Sequence, residues 1–192
     1  AGYPSSHSDI VALMVLEHQA HMANLITRLS WEARRVEHRE SMTVPSDRGR
    51  STDDGRFNEL VDEAALELVD YLLFVDEAPM PSGVAGTSGF DSVFSERGPF
   101  DQRGRSLREF DLEERLFRYP CSYMIYTSSF DALPARALEA VFARLWAVLS
   151  GEVTEAPYDR LSYAERQAIV EILIDTKTNL PDYFVPLSAT AR

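Results

Sequence analysis

The sequence predicts an all-α fold, a single-domain bundle of about five or six helices with one long irregular loop. Apolar residues recur at helical spacings of three and four in several long segments, and no segment alternates with the period of two that is typical of a half-buried strand. The chain has 192 residues, of which 45% are hydrophobic, so it can bury the core of one domain. Neither an internal repeat nor a low-complexity tract divides it.

The first helix is predicted over residues 8–36. Ser8 or Asp9 can accept hydrogen bonds from its first backbone N–H groups and so cap it. Its apolar stripe consists of Val11, Met14, Met22, Leu25 and Leu29. Because the first half of this segment is apolar nearly all round, we expect that half to be deeply buried. Residues 40–56, rich in Ser, Asp, Gly and Arg, then predict an exposed loop.

A second helix is predicted over residues 57–77. One of its faces is apolar and consists of Phe57, Val61, Ala64, Leu68 and Leu72. Residues 78–106 break the helical pattern with Pro and Gly. This stretch is long for a connection in a compact domain, so it is either a packed irregular loop or a functional one.

Two helices are predicted around Pro120. Residues 107–119 are amphipathic and end before this proline, because a residue that precedes proline disfavours the helical conformation. Pro120 itself can occupy the first turn of a helix over residues 120–129, where its missing N–H is not needed.

The last two helices have the clearest boundary signals. Residues 134–150 form a strong amphipathic segment, and Gly151 supplies the C-terminal stop. Residues 162–176 begin with a capping box, in which Ser162 is the cap and Glu165 lies three residues later.

Composition narrows the classes of partner. The formal net charge is −12 and the pI is about 4.7, so the chain repels phosphate backbones and no nucleic-acid partner is expected. The longest apolar run, IVALMVL, is far too short for a membrane span. The chain shows no signal-peptide pattern and opens with AGYPSSHSD rather than methionine, which suggests processing after export or a longer parent chain.

The stretch MVLEHQAHMANLI contains the best candidate site. His18 continues the apolar stripe, His21 lies three residues later, and Glu17 lies one turn before His21. Neutral imidazoles at this spacing can face a metal or a haem iron together, and a carboxylate can complete the set. The candidate cofactor-binding residues are therefore His18 and His21, and the candidate metal ligands are His18, His21 and Glu17.

Other interpretations of the same residues remain open. His18 can be a core histidine bonded to a backbone carbonyl, with Glu17 and His21 as an i,i+4 pair. Acid–base catalysis is a further alternative. A di-iron site fits poorly, because such bundles use Glu-x-x-His motifs, whereas Glu17 and His21 are four residues apart and the second helix has no histidine.

Cys121 is the single cysteine, so neither an internal disulfide nor a cysteine zinc cluster can form. A position near a helix start would lower the pKa of its thiol, but a lone cysteine is usually a core residue. No catalytic residue is assigned.

Three segments carry a resemblance to a known group of proteins. LSYAERQAIVEIL resembles the closing helix of c-type cytochrome domains. RYPCSYMIYTSSFDALP, followed by VFARLWAVLSG, is similar to the carboxyl-terminal part of uncharacterised exported bacterial proteins associated with c-type cytochromes. The chain departs from cytochromes in one respect, because it has no Cys-x-x-Cys-His and cannot hold covalent haem c in the usual way.

The resemblance implies a non-catalytic accessory domain or subunit of a bacterial electron-transfer assembly, periplasmic or otherwise exported. Its partner would be a protein such as a c-type cytochrome, and any haem or transition metal would be bound non-covalently, through His18 and His21. The alternatives are a purely structural helical interaction subunit without a cofactor, and a metal-dependent helical-bundle enzyme.

Overall fold

The computed structural model describes residues 8–42, 52–75 and 77–187. This part of the chain contains six α-helices: α1 (Ile10–Met42), α2 (Thr52–Leu72), α3 (Phe90–Ser95), α4 (Ser128–Asp131), α5 (Ala135–Ser150) and α6 (Tyr163–Thr176). Two 3₁₀ turns span Tyr123–Tyr126 and Tyr158–Arg160. No strand occurs among these residues, and the prediction of an all-α bundle is confirmed.

Helix α1 is anchored by Asp9, whose carboxylate Oδ1 accepts hydrogen bonds from the backbone N–H groups of Val11 and Ala12. The helix continues to Met42, beyond the predicted end at residue 36. The expectation that its first half is deeply buried is wrong, because Ile10, Leu13 and Leu16 are about half exposed. Only one face of α1 packs on the rest of the molecule, so an apolar residue on the opposite face stays at the surface.

Helices α1, α2 and α5 form the centre of the bundle, with α2 packed against both of the others. The predicted apolar face of α2 is buried from Val61 to Leu72, while the Phe57 side chain lies outside the described part. The helix ends at Leu72 rather than at residue 77. Of the predicted loop 40–56, residues 40–42 belong to α1 and 52–56 to α2, and residues 43–51 lie outside the described residues.

The helix predicted over residues 107–119 is absent. The chain reverses there instead, with a single bridge between Phe110 and Phe117, whose rings stack with centroids 5.2 Å apart. The Asp111 carboxylate accepts the N–H groups of Glu113 and Glu114 at 2.9 Å. These bonds satisfy backbone donors that a helix would otherwise satisfy, so the segment does not form the helix that its amphipathic pattern predicts.

The helix predicted over residues 120–129 is also wrong. Ser122 caps the 3₁₀ turn by accepting the N–H of Met124, and Thr127 caps α4 by accepting the N–H of Phe130. Two side-chain caps within six residues divide the segment into two short pieces, because each cap requires a non-helical backbone at its own position.

The last two helices follow their boundary signals. Helix α5 ends at Gly151, which has a φ of 87°, and the capping box of Ser162 and Glu165 begins α6. Within the predicted loop 78–106 the described residues include one short helix, α3. None of the helices in the described ranges is both long enough and apolar enough to cross a membrane.

Asp9 also ties α1 to the irregular segment before α3. Its second carboxylate oxygen accepts the N–H groups of Thr87 and Ser88 at 2.9 Å and the Ser88 hydroxyl at 2.7 Å. The backbone approaches so closely that a Cβ on Gly86 would lie 2.9 Å from this oxygen. The Ser88 hydroxyl, followed by the backbone donors, holds the pKa of Asp9 well below its ordinary value of 3.8.

We expect Asp9→Asn to lower the melting temperature at pH 7, because an amide cannot accept all five hydrogen bonds. A carboxylate whose pKa is lowered by folding stabilises the fold fully at pH values above its ordinary pKa. This stabilising effect is lost as the pH falls through the pKa that the carboxylate has in the folded protein. The difference between wild type and variant should therefore shrink below about pH 4. Thermal unfolding from pH 7 to pH 2 measures it, with the exposed Asp62→Asn as the matched control. A difference independent of pH would contradict the assignment.

Candidate functional site

A cavity of 530 Å³ lies between the first half of α1 and the last turns of α2. Its volume falls in the range of pockets that hold small organic molecules, roughly 300–1,000 Å³. The apolar and aromatic side chains that line it are Met14, Leu25, Tyr71, Phe74, Ala78, Met80 and Leu116. His18, His21 and Glu17 line the same cavity, so the three predicted site residues do share one wall.

His18 is a core residue, with only 4% of its surface exposed. Its Nε2 lies 2.6 Å from the hydroxyl oxygen of Ser122. The rings of Tyr71 and Phe74 lie nearly parallel to the imidazole, with centroids 5.2 and 4.8 Å away. The predicted core position is confirmed, but its partner is a serine hydroxyl rather than a backbone carbonyl.

The bonds of Ser122 decide which nitrogen of His18 carries the proton. The Ser122 oxygen already accepts the N–H of Met124 at 3.1 Å, and the residue is fully buried. A buried hydroxyl must donate its proton, and His18 Nε2 is the one acceptor that the described residues offer it. Nε2 is therefore the acceptor, and in the neutral imidazole the proton is on Nδ1.

Nδ1 is the polar atom of His18 that is left for the cavity. No described residue accepts its proton, and it is not among the described side-chain atoms that are both sealed from solvent and unpartnered. Burial, together with the neighbouring charge of His21, lowers the pKa of His18 from 6.5 to about 4, so the ring is neutral at pH 7. The cavity thus contains one fixed N–H donor.

His21 and Glu17 are both exposed, and His21 packs on Tyr71 with ring centroids 4.3 Å apart. The structure shows no hydrogen bond or ion pair between Glu17 and His21, or between Glu17 and any other described residue. Within the described ranges, no group of three or more His, Cys, Asp or Glu side chains is arranged to hold a metal ion. Since Nε2 of His18 is also engaged, this arrangement does not favour joint ligation of one metal or haem iron, which stays a prediction.

Phe74 shapes one end of the cavity through an unusual backbone conformation. It has a φ of 56°, which glycine adopts easily and a bulky residue rarely does. The bonds Phe74 N–H to Tyr71 O and Val75 N–H to Asp70 O are those of a Schellman motif that ends α2. Arg160 holds the turn by donating to the carbonyls of Leu73 and Phe74. Sequence reasoning missed this end, because a phenylalanine gives no stop signal.

Four carboxylates line the cavity, and three of them have partners. Glu67 pairs with Arg28, Asp70 accepts the Tyr158 hydroxyl, and Glu77 accepts the N–H of Leu116 at 2.9 Å. Burial raises the pKa of Glu77. Glu17 is the fourth, and no lysine or arginine is among the lining residues. Only Glu17 was singled out from the sequence, since the convergence of the other three depends on where α2 ends.

Cys121 takes no part in the site. It is fully buried and precedes the 3₁₀ turn rather than opening a helix. Burial raises the pKa of its thiol, opposite to the lowering that a helix start would produce. It is a core residue.

The fold and the site therefore define an all-α protein with a ligand-sized cavity between two long helices. Comparison with known proteins gives no match to a protein family, to a curated protein or to a solved structure. The resemblance to proteins associated with c-type cytochromes accordingly stays a prediction.

We expect the stability of the protein to fall between pH 7 and pH 4 through His18. Folding lowers the pKa of His18, so the unfolded chain takes up a proton at a higher pH than the folded chain does. The contribution of the neutral His18 to stability is therefore complete above pH 6.5 and is lost as the pH falls toward 4. The loss should be about 3 kcal/mol. Urea unfolding at several pH values measures it, and His18→Gln should remove this part of the slope. The control is His38→Gln, because His38 is exposed near the other end of α1 and does not line the cavity. An unchanged slope in His18→Gln would contradict the assignment.

Proposed function

We propose that this protein is a non-catalytic binding protein, whose ligand is a small organic molecule held in the cavity between α1 and α2. The observation that carries the proposal is the buried His18, whose unpartnered N–H is left for a cavity of suitable size that both apolar and polar side chains line. A small number of fixed polar groups among apolar walls is typical of ligand pockets.

The chemistry of the lining supports binding rather than catalysis. No serine, threonine, cysteine or lysine lines the cavity, so its lining lacks the aliphatic hydroxyl, thiol and amine nucleophiles. Ser122, which is bonded to His18, is fully buried, and its hydroxyl is committed to the imidazole and to the N–H of Met124. Neither Ser122 nor Cys121 can reach a bound molecule without a rearrangement of the core.

We expect the neutral dye N-phenyl-1-naphthylamine to bind in the cavity with a rise in fluorescence, because seven of the thirteen lining residues are apolar or aromatic. Met80→Trp adds bulk to one wall and should weaken binding at least about tenfold, since the added ring occupies the space of the ligand. Met42→Trp is the matched control, because Met42 is 71% exposed at the end of α1 and does not line the cavity. Equal binding by Met80→Trp, or failure of wild type to bind either this dye or any smaller aromatic probe, would contradict the proposal.

The resemblance supplies a second candidate, docking to a basic cytochrome-like partner. The observation that favours it is the net charge of −12, together with the carboxylates around the two histidines. Docking of this kind is steered by charge and weakens as salt screens it.

If this second role holds, association with a basic c-type cytochrome should slow as the ionic strength rises from about 10 to 150 mM, where the screening length shortens from roughly 30 to 8 Å. Stopped-flow mixing measures the rate. A Soret band or bound metal in the purified protein would further support the predicted cofactor. An association rate independent of salt, or no association at low salt, would count against charge-guided docking.

A further inference from the structure

The lining of the cavity carries information about the charge of its ligand. Four carboxylates face it, from Glu17 on α1, Glu67 and Asp70 on α2, and Glu77 just beyond α2, and none of the lining side chains is a lysine or arginine. A concave site lined by one sign of charge concentrates the field and favours a ligand of the opposite sign.

The carboxylates are spread out rather than gathered at a point. Within the described ranges, no three of the acidic, histidine or cysteine side chains come together as a metal site. Three of the four acids already have partners, which leaves the exposed Glu17 as the one with no hydrogen bond or ion pair to a described residue. A diffuse negative rim with one open carboxylate suits an organic ammonium group better than a bare metal ion.

A second and independent feature lies deeper in the cavity. His18 is 96% buried, its Nε2 is engaged by Ser122, and its Nδ1 proton has no acceptor among the described residues. A ligand that carries an acceptor oxygen on an aromatic ring could take this proton while its ring packs beside Tyr71 and Phe74.

We propose that the cavity binds a protonated aromatic amine, with the ring and an acceptor oxygen at His18 and the ammonium group at Glu17. This inference rests on the proposed function, since it names the class of ligand for the same cavity.

Four small probes that differ in one group each test the inference. Tyramine carries both the ammonium group and the ring oxygen; 4-(2-hydroxyethyl)phenol is its neutral analogue, and 3-(4-hydroxyphenyl)propanoate its anionic analogue. Phenethylamine keeps the charge but lacks the ring oxygen. We expect tyramine to bind at least about tenfold more tightly than the neutral and anionic analogues, and several-fold more tightly than phenethylamine. Calorimetric or NMR titration of the whole chain gives the affinities.

Glu17→Gln should remove most of the preference for tyramine and should weaken tyramine far more than the neutral analogue. Glu59→Gln is the matched control, because Glu59 is an exposed acid on α2 that does not line the cavity. The preference for tyramine should also shrink as salt is added.

The outcomes separate the two proposals. Equal binding of the charged, neutral and anionic probes, or tightest binding of the anion, would overturn the inference and leave the cavity as a binding site. Binding of the neutral dye without binding of any of the four probes would likewise overturn the inference and leave the cavity as a binding site. If the dye does not bind either, the proposed function fails as well. Tyramine binding that survives Met80→Trp would place the amine elsewhere and overturn the inference.

Discussion

Ser122 is the junction on which the rest of the structure depends. Its N–H donates to the carbonyl of Leu72 at the end of α2, its hydroxyl donates to His18 of α1, and its oxygen caps the 3₁₀ turn through Met124. A buried hydrogen bond contributes only about 1 kcal/mol, but leaving a buried partner unsatisfied costs about 1–3 kcal/mol. Three elements are therefore held in one register, and His18 must stay neutral for the arrangement to persist.

The cavity follows from this junction and from the way α2 ends. Phe74 adopts a left-handed conformation that turns the chain away from the helix axis, and Arg160 holds the turn through two backbone carbonyls. Helix α1 continues past the end of α2. Its residues from Met14 to Leu25 therefore line the cavity, which the residues after α2 close only in part. A left-handed phenylalanine costs roughly 1–2 kcal/mol, which the stacking of its ring near His18 can offset.

Helical periodicity predicts the fold wherever one stripe of apolar residues meets the core. It identifies α1, α2, α5 and α6, and it places His18 inside, because that residue lies in register with Met22 and Leu25. It fails where Asp111, Ser122 and Thr127 satisfy backbone donors with their side chains, since such local bonds leave the apolar pattern unchanged. The partner of His18 could not be predicted either, because Ser122 lies 104 residues away and no local pattern links the two.

The carboxylates of the cavity connect stability with binding. Like charges that face one concave surface repel one another, and that repulsion lowers the stability of the folded chain. Arg28, the Tyr158 hydroxyl and the Leu116 N–H each relieve one acid, whereas Glu17 gains no such relief from the described residues. A bound ammonium group would relieve the remaining repulsion in the folded state alone, so its binding free energy would add to the stability of the fold. Glu17, the acid that contributes least to the stability of the unliganded protein, is thus the one best placed to select its ligand.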